Sequence, residues 1–294
     1  MPEPSSIQKS AIRKRGQVGE RLATLCVWAV ALLVSLVFFW ILIDLFLGGV
    51  RHLSLSFLFE APRDAGRAGG IAPILVASLE IVAVCMLVAL PIGIGTAVWL
   101  AEYAGDRNRL GRLVRRSLDV LASVPSIVFG LFGSAFFCLQ LGLGFSILAG
   151  GLTLACMVLP IFIRTAEEGF RAVPQAYRLG AASLGISRTS TLFRILIPSA
   201  LPALSAGFVL GVGRALAETA ALIFTSGYVS RMPESLLDSG RAMSVHIYDL
   251  AMNVPGGNDN AFATALVLLL LLLLINASFA WISQHHLSHG ASQS

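Results

Sequence analysis

The chain has 294 residues, of which 56% are hydrophobic and 13% charged, with a mean hydropathy of +0.81. Soluble domains average about 45–50% apolar and about 25% charged, so a water-soluble globular fold is excluded and a multi-spanning membrane protein is expected. The net charge of +5 comes from basic residues scattered over several short segments. They form no face with interleaved aromatics, which excludes nucleic-acid binding.

Residues 1–21 read as a polar cytoplasmic leader carrying Lys9, Arg13, Lys14, Arg15 and Arg21. The first apolar run is 22–47. It is too long for the apolar core of a signal peptide and has no small-residue cleavage site before Gly48, so it reads as an uncleaved span. The Gly- and Pro-rich stretch 48–72 is expected to be an outer loop. Further runs at 73–103, 114–141, 145–163, 201–226 and 261–282 complete an all-α, six-span reading. Residues 73–284 form the core, with a polar outer loop at 227–260 and a cytoplasmic tail at 285–294. With the N-terminus inside, fifteen basic residues fall in the leader, in 107–116 and in 164–194. Five fall outside, in 51–67 and 231–241. That bias places both termini in the cytoplasm.

One segment stands apart. Pro174–Pro202 is polar and amphipathic between apolar runs and carries Arg178, Arg188 and Arg194 without an acid. Its spacing predicts a short helix, a turn at Gly185, a second helical piece from about Thr189 and a break at Pro198. The wider cytoplasmic loop is expected over about 164–200. A structured, charged segment between spans is the natural docking surface for a cytoplasmic partner.

Several chemistries fall away. The only lysines are Lys9 and Lys14, so no P-loop lysine is available for ATP phosphates. Cys26, Cys85, Cys138 and Cys156 stand alone in apolar runs without metal or redox spacing. His285, His286 and His289 read as a solvated tail, and the Asn276-Ala277-Ser278 sequon lies inside a span. No span holds a histidine for an intramembrane hydrolase. No catalytic residue and no metal site is expected.

Charge inside the membrane remains. An ionised group mid-span costs about 2.5–3.5 kcal/mol on insertion scales, so it faces a cavity or a partner. Arg214 and Glu218 lie four apart in the fifth run, on one helical face if the helix continues. They share a stripe with Gly207 and Gly211, a small-residue pair that lets another helix approach. Two readings stand: an ion pair joining helices, or a polar station on a substrate pathway in which Arg214 attracts an anion. Thr219 joins that pathway set, with Glu80 of the second run as a weaker member. Asp119 reads as a helix-end or interfacial carboxylate. Pro91, Gly93 and Gly95, and Pro125, Gly130 and Gly133, mark bends or close packing.

Pro174–Pro202 resembles the cytoplasmic loop of ABC-importer permeases, patterned EAA, three residues, Gly, nine residues, Ile, one residue, Leu-Pro. Gly185, Ile195 and Ile197-Pro198 fall on that spacing, while EAA falls on Leu179-Gly180-Ala181, so the acidic position is lost. The stretches 89–106, 123–134, 213–223 and 246–252 narrow the likeness to phosphate-importer permeases of the PstA type. The resemblance implies a type I permease fold in the bacterial inner membrane, importing phosphate by alternating access. It implies a coupling loop containing Arg178, Ala181, Gly185, Arg188, Ile195, Ile197 and Pro198. The implied partners are a sister permease of the PstC type, two ABC ATPases that bind ATP and Mg, a periplasmic phosphate-binding protein and the lipid bilayer. No cofactor is expected in this chain. Other oxyanions (sulfate, molybdate, a phosphonate) and a phosphate-sensing role stay open as alternatives.

Overall fold

The computed structural model describes residues 6–105 and 108–291, with side chains described for 20, 21, 24–105 and 108–279. The leader residues Lys9, Arg13, Lys14 and Arg15 and the tail histidines His285, His286 and His289 lie outside the described side chains. Two compact units result, residues 1–48 and 49–294. The first belongs to helix α1 (Ser6–Val50), whose Thr24–Val50 stretch is long and apolar enough to cross a bilayer.

The second unit starts at Gly49, so the expected outer loop 48–72 belongs to the folded core. It holds α2 (Leu55–Phe59), capped by Ser54, and a two-stranded hairpin, β1 (Pro62–Arg63) with β2 (Ala68–Gly69). Phe57 and Ile71 pack with Ile74, Met243, Ala263 and Val267. The apolar side chains of this stretch are what turn a loop into structure, because their burial removes apolar area from water.

Helix α3 (Ala72–Val98) begins with Pro73 in its first turn and continues through a π-helical stretch to Tyr103. Asn108 caps α4 (Arg109–Ser123), its Oδ1 accepting from Leu110 N at 2.9 Å. The expected third span 114–141 is not one helix. Chain direction turns by 100° between α4 and α5 (Ser126–Gly133), which extends as a π stretch to Gln140. Pro125 sits in the bend as the N-cap of α5. A residue before proline is driven out of helical geometry, and Val124 accordingly has ψ 129.

Helix α6 (Ile147–Ala172) is the central element, packing on α3, α4, α5 and α9. It overruns the expected end at Ile163 because Glu167, the buried one of two acids in its last turns, is met by Arg115 and Arg171. Phe162 is fully buried where Gly93 of α3 and Gly207 face it; a Cβ on Gly207 would lie 3.2 Å from its ring.

Helix α7 (Gln175–Ser183) follows, then a left-handed turn at Gly185 (φ +70) and α8 (Arg188–Thr191), capped by Ser187. From Arg188 the chain runs as one span-length helix to Leu216, through a π stretch Leu192–Leu196 into α9 (Ile197–Leu216). The expected break at Pro198 is absent. Proline clashes with the carbonyl four residues back, and that carbonyl, on Arg194, lies in the π stretch, whose wider turn absorbs the clash. The cytoplasmic loop therefore narrows from about 164–200 to residues 173–187.

Helix α9 ends at Leu216, ten residues before the expected end of the fifth span. After α10 (Ala220–Ile223), the expected polar loop 227–260 contains α11 (Met243–Met252), with Met243, Val245, His246 and Leu250 buried. The final helix is α12 (Asn258–Ala291), and its Asn258–Phe279 stretch is the last span. Among the described residues, five helices qualify as spans, or six if the bent α4–α5 pair counts as one.

Candidate functional site

Two regions hold the residues singled out by sequence. The first is the outer end of α9. Arg214 lies in its last turn, about 26 Å along the axis from Ile197 at the usual helical rise. Its side chain is exposed on this chain's surface; the guanidinium touches Met157 Sδ at 3.9 Å and has no ion pair among the described residues. Glu218 falls beyond the helix, after Ala217, so the shared helical face with Arg214 is not formed. Ala217 and Glu218 donate to the Gly213 and Ala215 carbonyls, closing the helix. The Glu218 side chain is buried, and its Oε1 accepts from Ala221 N at 3.3 Å. Its own carbonyl accepts from Ser244 Oγ at 2.6 Å. The glutamate thus fixes the turn into α10 and links it to α11, and Arg214 is left without its expected partner. Thr219 is half-buried at the start of α10.

The packing residues behave as their size requires. A Cβ on Gly211 would lie 2.9 Å from Val158 and 3.2 Å from Met86, so the Gly207/Gly211 pair seats α9 on α6 and α3 within this chain. A Cβ on Gly130 would meet the Ala221 Cα at 2.8 Å, so that glycine admits the α10 backbone. Glu80 is half-buried on α3, and its Oε2 is buried without a hydrogen-bond partner among the described residues. Nothing joins it to Arg214.

The second region is the cytoplasmic elbow. Arg178 of α7 makes a forked pair with Glu102 at the end of α3, Nη2 to Oε1 at 2.6 Å and Nε to Oε2 at 3.0 Å. Its Nη1 and Nη2 also donate to the carbonyls of Val173 and Phe170, each at 2.7 Å. One guanidinium therefore closes the C-terminus of α6, holds α7 and ties both to α3. The hydrogen bonds it donates to Glu102 push the Arg178 pKa up, partly offset by burial. Neither the Glu102 link nor the α6 cap was legible in sequence, since Glu102 lies 76 residues away and inside an expected span.

The coupling set divides by face. Tyr177, Leu179 and Leu184 are exposed apolar residues on the elbow, and Leu179 stands where the acidic position of the motif is lost. Arg188 is exposed at the start of α8. Ala181 is buried, and its carbonyl accepts from Ile186 N at 3.0 Å across the Gly185 turn. Ile195, Ile197 and Pro198 lie in the span-length helix, with Ile197 packed on the inner apolar cluster around Ala166, Phe170 and Leu196. Ile195 and Ile197 are half-buried and root the elbow in the bundle, while Pro198 is exposed. A groove of about 290 Å³ runs between α7, α8 and the end of α3, lined by Glu102, Tyr103, Arg178, Leu179 and Arg188 among others.

A third cluster lies beside the elbow. Glu167 Oε1 accepts from Arg115 Nε at 2.7 Å and Arg171 Nε at 3.1 Å, Arg115 Nη2 donates to the Leu100 carbonyl, and Arg164 pairs with Asp119. Asp119 is thus a cross-helix partner and not a helix cap. At the outer side, Arg241 pairs with Asp249 at 3.1 Å and donates to the Tyr228 carbonyl, with buried His246 alongside. Burial, and then the Arg241 charge, push His246 down to about 4 against the pull of Asp249.

The family model described as "Binding-protein-dependent transport system inner membrane component" matches residues 89–287, which takes in the elbow, α9 and α11. The chain belongs to this family. It is the membrane permease subunit of an ABC importer, a multi-pass protein of the inner membrane. This permease is 31% identical over 285 residues to the Bacillus subtilis "Probable ABC transporter permease protein YqgI", covering 90% of this chain and 95% of that one. It is 36% identical over 187 residues to the Pasteurella multocida "Phosphate transport system permease protein PstA", covering 64% and 66%. The chain spans about a third to two thirds of the length of the PstA-named relatives it matches. Among solved structures, a bacterial ABC transporter involved in the import of the acidic polysaccharide alginate superposes with a TM-score of 0.64 at 14% identity, over 92% of this chain and 99% of that one. That likeness shows the type I permease fold.

Proposed function

We propose that this permease imports inorganic phosphate, paired with a homologous second permease of the PstC type and driven by alternating access. Two copies of an ABC ATPase, with their ATP and Mg, would dock on the Tyr177–Leu184 face of the elbow. A periplasmic phosphate-binding protein would dock on the outer side, over the hairpin and residues 227–242. The names of the PstA relatives support the choice of cargo.

Arg214 carries the reading. It is a guanidinium near the end of an apolar helix, turned to this chain's surface and without an ion pair among the described residues. In the last turn of its helix it reaches the polar boundary of the bilayer at less than the mid-span cost of about 2.5–3.5 kcal/mol; facing a water-filled passage shared with the second permease, it would offset part of the dehydration cost of a multiply charged anion. Since Glu218 is occupied by the Ala221 amide, the guanidinium keeps its donors for cargo. The elbow supplies the stroke: Arg178 makes α7, the end of α6 and the end of α3 move together, so a push on the exposed elbow enters two spans.

Uptake of labelled phosphate by the assembled complex in proteoliposomes tests this. Arg214→Gln is expected to lower uptake at least about tenfold with assembly intact; uptake at the normal rate would remove Arg214 from the pathway. In the same assay, excess sulfate, molybdate and phosphonate should leave phosphate uptake unchanged, and competition by one of them would reassign the cargo.

A further inference from the structure

Helix α4 presents three faces. Gly111 and Leu118 are buried toward the bundle, where Arg115 turns in to Glu167 and the Leu100 carbonyl. Beside that face lie four exposed apolar residues, Leu110, Leu113, Val120 and Leu121, with Leu113 60% and Val120 65% exposed. The remaining sector carries Arg109, Arg112 and Arg116, all exposed and without an ion pair among the described residues. The one acid of the helix, Asp119, is taken by Arg164. The axis of α4 turns by 100° from that of α5. If α5 runs across the bilayer, α4 lies along its surface, and the arginine distribution puts that surface on the cytoplasmic side.

We propose that α4 is an anionic-phospholipid site in the inner leaflet, with Arg109, Arg112 and Arg116 on the headgroup phosphates and Leu110, Leu113, Val120 and Leu121 among the upper acyl carbons. An in-plane helix with adjoining basic and apolar sectors matches this layer. Guanidinium forks suit phosphate oxygens, and the basic sector holds no free acid to repel them. The elbow helix α7 differs: its exposed apolar residues have no such basic sector on the same helix. Through Arg115 and Arg164, α4 is joined to α6 and to the end of α3, so lipid would give the moving elbow a fixed footing. This inference is independent of which anion the importer carries.

The test places the photo-crosslinker p-benzoylphenylalanine at Leu113 in the assembled complex, in nanodiscs holding radiolabelled phosphatidylglycerol or phosphatidylcholine. Labelling by phosphatidylglycerol is expected to exceed that by phosphatidylcholine. The preference should fall roughly fivefold for each arginine removed, since a basic residue near an anionic leaflet contributes about 1 kcal/mol. An R109Q/R112Q/R116Q variant should lose it, and the corresponding triple lysine variant should keep most of it. Equal labelling by both lipids, or a preference indifferent to the arginines, overturns the proposal. So does an adduct of subunit mass, which would mean a protein covers the face. Absence of any adduct also overturns it, since Leu113 would then face water.

Discussion

The elbow and the outer end of α9 treat charge in opposite ways. At the elbow, half-buried Glu102 is matched by Arg178, and buried Glu167 is matched through its Oε1 by Arg115 and Arg171. At the outer end of α9, Arg214 and Glu218 stand four residues apart and do not meet. Matched charges with several hydrogen bonds each give stiffness, because displacing either partner strands the other in a partly dry place. A guanidinium left with open donors gives affinity. On the proposed reading, lever and site are thus made from the same residue type, and the difference lies in what sits opposite.

That contrast can be broken at either end. The largest effect is expected at Arg214: Arg214→Gln lowers phosphate uptake at least about tenfold while ATP hydrolysis by the complex continues, and Arg214→Lys retains part of the uptake. Equal losses of uptake and hydrolysis would show damage to the lever and not to the site. Next is Arg178→Ala, which strands Glu102 and two carbonyls. It is expected to destabilise the elbow by on the order of 3 kcal/mol and to lower the phosphate imported per ATP severalfold. A charge-swapped pair, Glu102→Arg with Arg178→Glu, should restore part of that ratio if the ion pair is the link.

The outer side offers a pH probe. His246 has its pKa lowered to about 4 from an ordinary value of 6.5, so the unfolded chain binds the extra proton first as pH falls. Stability is then full above about 6.5 and declines toward pH 4, by on the order of 3 kcal/mol over the window. Thermal unfolding of the purified permease between those pH values should show the decline, and His246→Gln should flatten it. The smallest effect separates the two uses of glycine. Gly130→Ala drives a Cβ into the α10 backbone and should cost about 1–3 kcal/mol. Gly180→Ala on α7 meets nothing within 4 Å and should be neutral or stabilise by about 0.4–1 kcal/mol. The same unfolding measurement ranks them.

The spans, the elbow helix and the Gly185 turn were legible in the sequence, because each is a local pattern: apolar run length, helix punctuation and a glycine where φ must be positive. The close packing at Gly207, Gly211 and Gly130 was legible too, since missing bulk inside an apolar run has few explanations. What was not legible depends on distant partners. Charged residues after Ile163 look like the start of a loop until Arg115, from another helix, neutralises Glu167 and lets α6 continue. Glu218 looked like a companion of Arg214 because the helical wheel assumes that α9 goes on, and the unwinding after Leu216 is held by Ser244 and Ala221. Residues 227–260 looked polar, yet α11 is buried within them through contacts with α3 and α12.

The π stretch at Leu192–Leu196 has a consequence far from where it lies. It amounts to one extra residue in an otherwise regular helix, and one residue turns everything beyond it by about 100° around the axis. The compass bearing of Arg214 is therefore set at the cytoplasmic end of its own helix. Closing that stretch into a regular α ladder with every residue kept would swing the guanidinium about a quarter-turn away, without altering any side chain near it.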